Sequence, residues 1–451
     1  MTEMKRNKTL ILLVILVSYF MILLDNSIIF TGTVKIAEEL HLTPIMLSWV
    51  NNAYALTFGG LLLVGGRLGD SLNRKVAFSM GLIIFGLGSL LVAISTTDIM
   101  MILSRAFQGV GSAILAPTTL SLLMENFEGN ERTRAISAYG ATAGIGASLG
   151  LVIGGLFASL LSWRDGFLIN VPIAMVMLIL TAIYVPSSQV HQKQSLDILG
   201  SIYSFVMMLS LIYGIVGENA RWISILLFVI MLVLFIKRER NFKNPLVPLN
   251  LFTNKERLGA YIARFFYMGG MLSLWFLTPQ MMQTNLGFTP LQAGIGFFPL
   301  TIVNFLVALT VSKLTHKFGN EKLLVVGIFI TMVGVSGLIL FSPSLGYLLG
   351  IALPMILMGV GQGLTLSPLT VSGVAEVNQQ ESGAASGLVN VFHQIGGSFG
   401  VSFISIISQN ITDSLKSYHI AMIVTTTLIA IALVAVIILI YSKNLKIIKG
   451  R

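Results

Sequence analysis

Asp25 and Arg105 each interrupt an apolar run long enough to span a bilayer. A guanidinium keeps its proton at every accessible pH, so an arginine at that depth must be paired, hydrated or snorkelled to an interface. Insertion scales put its cost at about 2.5–3.5 kcal/mol near a helix centre. Asp25 is the partner that can change charge. Desolvation favours its neutral acid and a nearby guanidinium favours its carboxylate, so a pair that moves between two environments can load and release a proton. The plainer alternative is a static ion pair that only holds two helices together. Gly109 and Gly111, just beyond Arg105, let a neighbouring backbone come close.

Further residues belong to the same chemical question. Asn51 and Asn52 in the second run are able to hydrogen-bond such a pair, and with Gln108 in the fourth run they are candidates to line a relay or a substrate cavity. Asp165, beside Arg164, is either a second proton site or cation-attracting group, or else a carboxylate capping the helix that starts there. His393 titrates near neutrality, which suits a relay or a substrate contact, but a packed histidine explains it equally well. Trp275 and Phe276, close to Phe265, Met268 and Met271, offer an aromatic and methionine-rich surface for flat ligands. Arg264, near the inner end of its run, is expected to snorkel.

The elements that must position these residues are membrane helices. The 451-residue chain is 55% hydrophobic and 10% charged, with a mean hydropathy of +0.88; a soluble chain carries about a quarter charged residues. Apolar runs recur at 9–34, 46–65, 76–96, 99–124, 134–161 and 166–186, then at 198–217 and 221–236, then at 258–284, 290–311, 322–341, 346–370, 382–409 and 417–442. This predicts an all-α polytopic protein with fourteen spans. A six-helix half occupies 1–186, a linker with an extra hairpin 187–257, and a second six-helix half 258–451. The first run follows Lys5, Arg6 and Lys8 without a small-residue cleavage site and reads as a retained helix.

With both termini placed in the cytoplasm, the only basic residues left outside are Lys35, Arg164, Arg221 and Lys416, and Arg105 and Arg264 fall within helices. Every other one of the 28 lysines and arginines falls inside, a bias strong enough to set orientation. The net charge of +10 is thereby a topological signal, and no nucleic-acid partner is expected. Asp25, about 17 residues into an outward helix, and Arg105, about six residues into an inward one, then share the outer third of the bilayer, at about 1.5 Å per residue. The absence of cysteine excludes disulfides and thiolate sites, and the five histidines form no zinc-binding pattern. No P-loop is present, which argues against an ATP-driven pump. No cofactor is expected beyond a proton gradient.

An internal repeat links the halves. Gly109-Val-Gly111 recurs as Gly359-Val-Gly361, and Gly146–Gly150 as Gly396–Gly400, both offset by 250 positions. Position 105 maps onto Met355, and the polar residues of the second half's helices (Gln280, Gln283, Asn304, Gln362, Asn390, His393, Gln394) include no carboxylate. Proton chemistry is therefore expected in the first half, leaving the second chiefly for substrate. Two homologous halves suit alternating access.

Several motifs carry a family resemblance. Gly66-Arg-Leu-Gly-Asp70 with Arg74 and Lys75 resembles the cytoplasmic loop signature of the major facilitator superfamily, with Ser71 and Asn73 departing from its usual Arg and Gly. Arg105–Gly111 resembles the fourth-helix signature. Gly140–Gly155, with Gly144, Gly146, Gly150 and Gly154, resembles the fifth-helix antiporter signature, although Leu151 replaces its proline. Leu24–Ile29 and Ser162–Pro172 resemble motifs of the fourteen-helix drug:proton antiporters, with Asp165 where that family has Trp. The resemblance implies a monomeric, multi-pass exporter in the bacterial cell membrane that exchanges protons for small hydrophobic, often cationic drugs and dyes. The other reading is a narrower exporter of one drug class or an endogenous metabolite. It also implies that Gly66, Asp70, Arg74 and Lys75 form a gating loop, in which Asp70 caps the third helix and pairs with a basic residue across the halves.

Overall fold

A computed structural model of the chain describes residues 2–187, 197–216, 220–243, 245–341, 345–378, 381–408 and 411–442, except for some side chains within its helices. The described residues contain helices and no strands. Two compact units result, Met1–Phe205 and Val206–Arg451.

The N-terminal unit is built from α1 (Thr2–Leu40), α2 (Pro44–Ser71), α3 (Arg74–Ala93), α4 (Asp98–Asn126), α5 (Gly129–Leu160), α6 (Trp163–Leu168) and α7 (Asn170–Tyr184). The division between units falls inside α8 (Ile198–Val216). The C-terminal unit continues with α9 (Arg221–Asn241), α10 (Lys255–Leu286), α11 (Pro290–Ile295), α12 (Phe298–Ala308), α13 (Val311–Phe318), α14 (Asn320–Leu340), α15 (Leu353–Gly373), α16 (Ser382–Ser408) and α17 (Ser414–Ala435). Among the described residues, twelve helical stretches are long and apolar enough to cross a membrane, making this a multi-pass integral membrane protein.

Short polar residues between the apolar runs set where helices begin. The hydroxyls of Thr43 and Thr97 accept from the backbone N–H of Met46 and Met100, each at 3.2 Å; Asn254 and Asp413 cap α10 and α17 in the same way. Two spans that read as single runs are interrupted. Pro172 has no N–H to give the Leu168 carbonyl, and the chain passes from α6 to α7 at Ile169. Likewise Pro299 restarts the helix as α12 after α11.

The repeat is a repeat of helix crossings. A Cβ on Gly150 of α5 would lie 2.6 Å from Ser27 Cβ on α1; one on Gly400 of α16 would fall on the backbone of Gly269 on α10. Gly111 of α4 meets the Phe85 backbone on α3, as Gly361 of α15 meets the Thr331 backbone on α14. These matched crossings align Asp25 with Tyr267, Arg105 with Met355 and Gln108 with Met358.

Candidate functional site

Four helices of the N-terminal unit converge on one buried polar cluster. Asp25 on α1 and Arg105 on α4 are both fully buried, with Arg105 Nη1 donating to Asp25 Oδ2 at 2.6 Å. The same nitrogen donates to Gln108 Oε1 at 2.6 Å. Gln108 Nε2 returns to Asp25 Oδ1 at 2.7 Å and to Ser89 Oγ on α3 at 2.6 Å. Asn170, the first residue of α7, donates from Nδ2 to Asp25 Oδ1 at 3.2 Å and to Ser89 Oγ at 3.3 Å. Arg105 Nε reaches the Val50 carbonyl on α2 at 3.4 Å, and its guanidinium lies 4.3 Å over the Tyr54 ring and 5.6 Å from that of Phe167.

The spacing explains the assembly. Arg105 and Gln108 are three residues apart on α4, one helical turn, so both project to the same face. Gly88 lets α4 settle against α3, since a Cβ there would lie 2.6 Å from Gln108 Cα. Asp25 receives three side-chain donors from Arg105, Gln108 and Asn170 and faces none of them as an acceptor. That is the bonding pattern of a carboxylate. A protonated Asp25 has one O–H that needs an acceptor, so adding the proton breaks the Arg105 contact or turns the carboxyl.

Of the residues singled out in the sequence, Asp25, Arg105 and Gln108 come together. Asn51 and Asn52 are buried on α2 beside Val50, whose carbonyl accepts from Arg105. Asp165 stands apart: with Ser162 it forms the capping box of α6, its Oδ2 accepting from the Ser162 N–H at 3.1 Å. Its neighbour Arg164 pairs with Glu39 and bonds the Ser95 carbonyl at 2.7 Å.

In the loop after α2, the cap of α3 is Asn73, whose side chain accepts from the Lys75 N–H at 2.9 Å, and not Asp70, whose side chain lies outside the described residues. An Asn at this position supplies the acceptor that the family's Gly lacks. Arg74 pairs with Glu125 at 3.4 Å, Lys75 reaches the Ala182 carbonyl at 2.8 Å, and Gly66 faces Pro117.

Gly146, Gly150 and Gly154 pack on α1, against Leu23, Ser27 and Ile28 respectively, while the surroundings of Gly144 lie outside the described residues. In the C-terminal unit Trp275 and Phe276 are buried, Trp275 lying 5.4 Å from the Phe297 ring, and His393 is partly exposed on α16. Arg264 does not snorkel; it is 7% exposed.

Two members of the cluster, Ser89 and Asn170, had no spacing signal, because each is one of a few polar residues on a mostly apolar helix. The signal that could have found Asn170 is its place in the Ser162–Pro172 motif.

Residues 15–401 match the family model described as Major Facilitator Superfamily. The chain belongs to that family. This major facilitator is 33% identical over 397 residues to the cephamycin export protein CmcT of Amycolatopsis lactamdurans, covering 85% of the chain and 82% of that protein. It is 30% identical over 418 residues to the puromycin resistance protein of Streptomyces alboniger, covering 90% and 83%. Its fold matches that of a bacterial homologue of the human lysosomal transporter Spinster, with a TM-score of 0.69 and 15% identity over 96% of this chain and 98% of that one. The protein is accordingly a membrane transporter of the major facilitator fold and not an enzyme.

Proposed function

We propose that this transporter is a proton-coupled exporter of small hydrophobic, often cationic compounds, in which Asp25 carries the proton and Arg105 sets its readiness to do so. The observation that supports this reading best is the buried contact of Asp25 with Arg105 and Gln108. An intramembrane carboxylate is the group that can trade a proton for a change in helix packing, and the exporter assignment draws on the relatives named for antibiotic export and resistance. In this reading α5 and α9 also cross the bilayer, giving fourteen spans with both termini cytoplasmic, as in the drug:proton antiporters. The two halves alternate access as a monomer, with no cofactor beyond the proton gradient, and the Gly66–Lys75 loop gates the cytoplasmic side. Asp165 serves as a helix cap in this scheme, with no proton of its own to carry.

A narrower specificity is the second reading. It is favoured by relatives that are each named for a single antibiotic.

Everted vesicles loaded with a pH reporter and offered ethidium and tetraphenylphosphonium test both. Gradient-driven accumulation of both cations, lost in Asp25→Asn and in Arg105→Ala, is the expected result. Accumulation of neither cation by wild type, with transport of one antibiotic instead, selects the narrower reading. Coupling that survives Asp25→Asn removes Asp25 from the role of carrier.

A further inference from the structure

Arg264 is a second buried guanidinium, and its bonding is incomplete. It lies nine residues into α10, about 14 Å along the helix from Lys255 at 1.5 Å per residue, in the half of the span nearer that end. Nη1 donates to the Leu366 carbonyl at 3.3 Å and to Thr370 Oγ1 at 3.4 Å, both on α15. Charge-assisted bonds are ordinarily about 2.7–2.9 Å, so both are long. Nε has no partner, and no bond from Nη2 and no carboxylate paired with Arg264 occurs among the described residues. A guanidinium carries five donors. The idle ones lie together along its Nε–Nη2 edge.

The other buried arginines are more fully paired. Arg105 has its carboxylate, although its Nη2 is also without a partner. Arg257, two turns before Arg264 on the same helix, is spent on four backbone carbonyls, those of Leu251, Ala375, Glu376 and Asn250, at 2.8–3.1 Å. Leaving a buried charged donor unmet is costly, and membrane proteins keep such groups where they face a partner or a hydrated path.

Polar groups surround Arg264 on the neighbouring helices. The α10–α16 crossing runs in constant register, with the Tyr261 ring stacked on Phe392 at 5.3 Å and Gly396 packed on Phe265. That register pairs Arg264 with Ile395, two residues beyond His393 on the same helix. Thr370 and Asn390, one turn before His393, are exposed.

We infer that Arg264 anchors an oxyanion-binding site in the C-terminal unit, with its Nε–Nη2 edge free to take two oxygens of a carboxylate or phosphate side by side, with Thr370 beside it and His393 on the facing helix α16. Two parallel N–H donors match that ligand geometry, which a lysine cannot offer. The oxyanion comes either from an amphipathic solute or from a lipid headgroup. As a substrate subsite it rests on the exporter reading, and it extends that reading to compounds bearing a negative group.

The test is a binding measurement that needs neither a gradient nor transport. The purified protein, in nanodiscs of phosphatidylcholine, is titrated by fluorescence anisotropy with the free-acid dye rhodamine 110 and with its methyl ester, rhodamine 123. The expected result is that Arg264→Gln weakens the acid by about tenfold, the scale of one charge-assisted hydrogen bond, and leaves the ester within about twofold. Arg264→Lys should fall between. Unchanged ester binding also shows that the variants are folded.

If wild type does not favour the acid, but adding phosphatidylglycerol raises its melting temperature and not that of Arg264→Gln, the oxyanion is the lipid's. The inference is overturned if Arg264→Gln alters neither the acid–ester preference nor the response to anionic lipid, or if it weakens both dyes equally. Failure of proton coupling with the acid preference intact would instead count against the exporter reading alone.

Discussion

The two units repeat one set of helix crossings and fill the centre of each differently. At the matched positions the N-terminal unit places Asp25, Arg105 and Gln108, and the C-terminal unit Tyr267, Met355 and Met358. One centre is a desolvated ion pair; the other is packed side chains, with the Tyr267 hydroxyl bonded to Thr331 Oγ1 at 3.1 Å. The C-terminal unit shows that this arrangement of helices stands without a charge at its centre. A buried ion pair is weak evidence for stability, since an apolar replacement of similar volume is often neutral or better. The C-terminal unit has its own buried cation, Arg264, three residues before Tyr267 on α10, and no acid is bonded to it among the described residues.

The most severe way to break the contrast is to leave one charge alone. Arg105→Met strands a buried carboxylate and should cost about 3–5 kcal/mol, read as thermal unfolding in detergent, with loss of gradient-driven transport. The double variant Asp25→Leu with Arg105→Met converts the centre to the kind found in the C-terminal unit. It should recover most of the stability and none of the coupling. A double variant as unstable as the single one would mean that the fold needs the pair.

Next in size is the shared architecture. Gly150→Leu and Gly400→Leu each drive a side chain into the facing helix and should destabilise their units by similar amounts, about 1–3 kcal/mol, in the same melting assay. A large difference between them would break the equivalence of the crossings.

Smaller effects sharpen the picture within the N-terminal unit. Asn170→Ala removes one donor to Asp25 and one to Ser89 and should cost about 1 kcal/mol, with slower proton-driven transport and little change in dye binding. The least effect is expected from Asp165→Asn. Asparagine keeps a capping oxygen, so stability should hold within about 0.5 kcal/mol and the proton:drug ratio should not move. A reduced ratio would restore Asp165 as a second proton site.

Much of this was legible in the sequence because bilayer physics writes it there. Apolar runs, capping residues and basic loops mark helices and their ends. Asp25 and Arg105 stood out as charges inside runs, whereas the bonds of Gln108 to both did not. Ser89 and Asn170 did not stand out either, because a polar residue on a mostly apolar helix says nothing about which helix it faces. The breaks at Ile169 and before Phe298 were hidden for a different reason. Hydropathy continues across both, and only Pro172 and Pro299 register the change in backbone bonding. Arg264 was placed by proximity to a helix end, which predicted snorkelling; the packing of α15 against α10 encloses it instead.

The central claim is that the exchangeable proton belongs to the N-terminal unit and resides on Asp25. The direct measurement is proton release on dye binding to the purified protein, followed with a pH indicator in weakly buffered detergent solution. Wild type and His393→Gln should release protons equally when tetraphenylphosphonium binds, whereas Asp25→Asn should bind the dye and release none. Undiminished release from Asp25→Asn, or its loss in His393→Gln, would contradict the account.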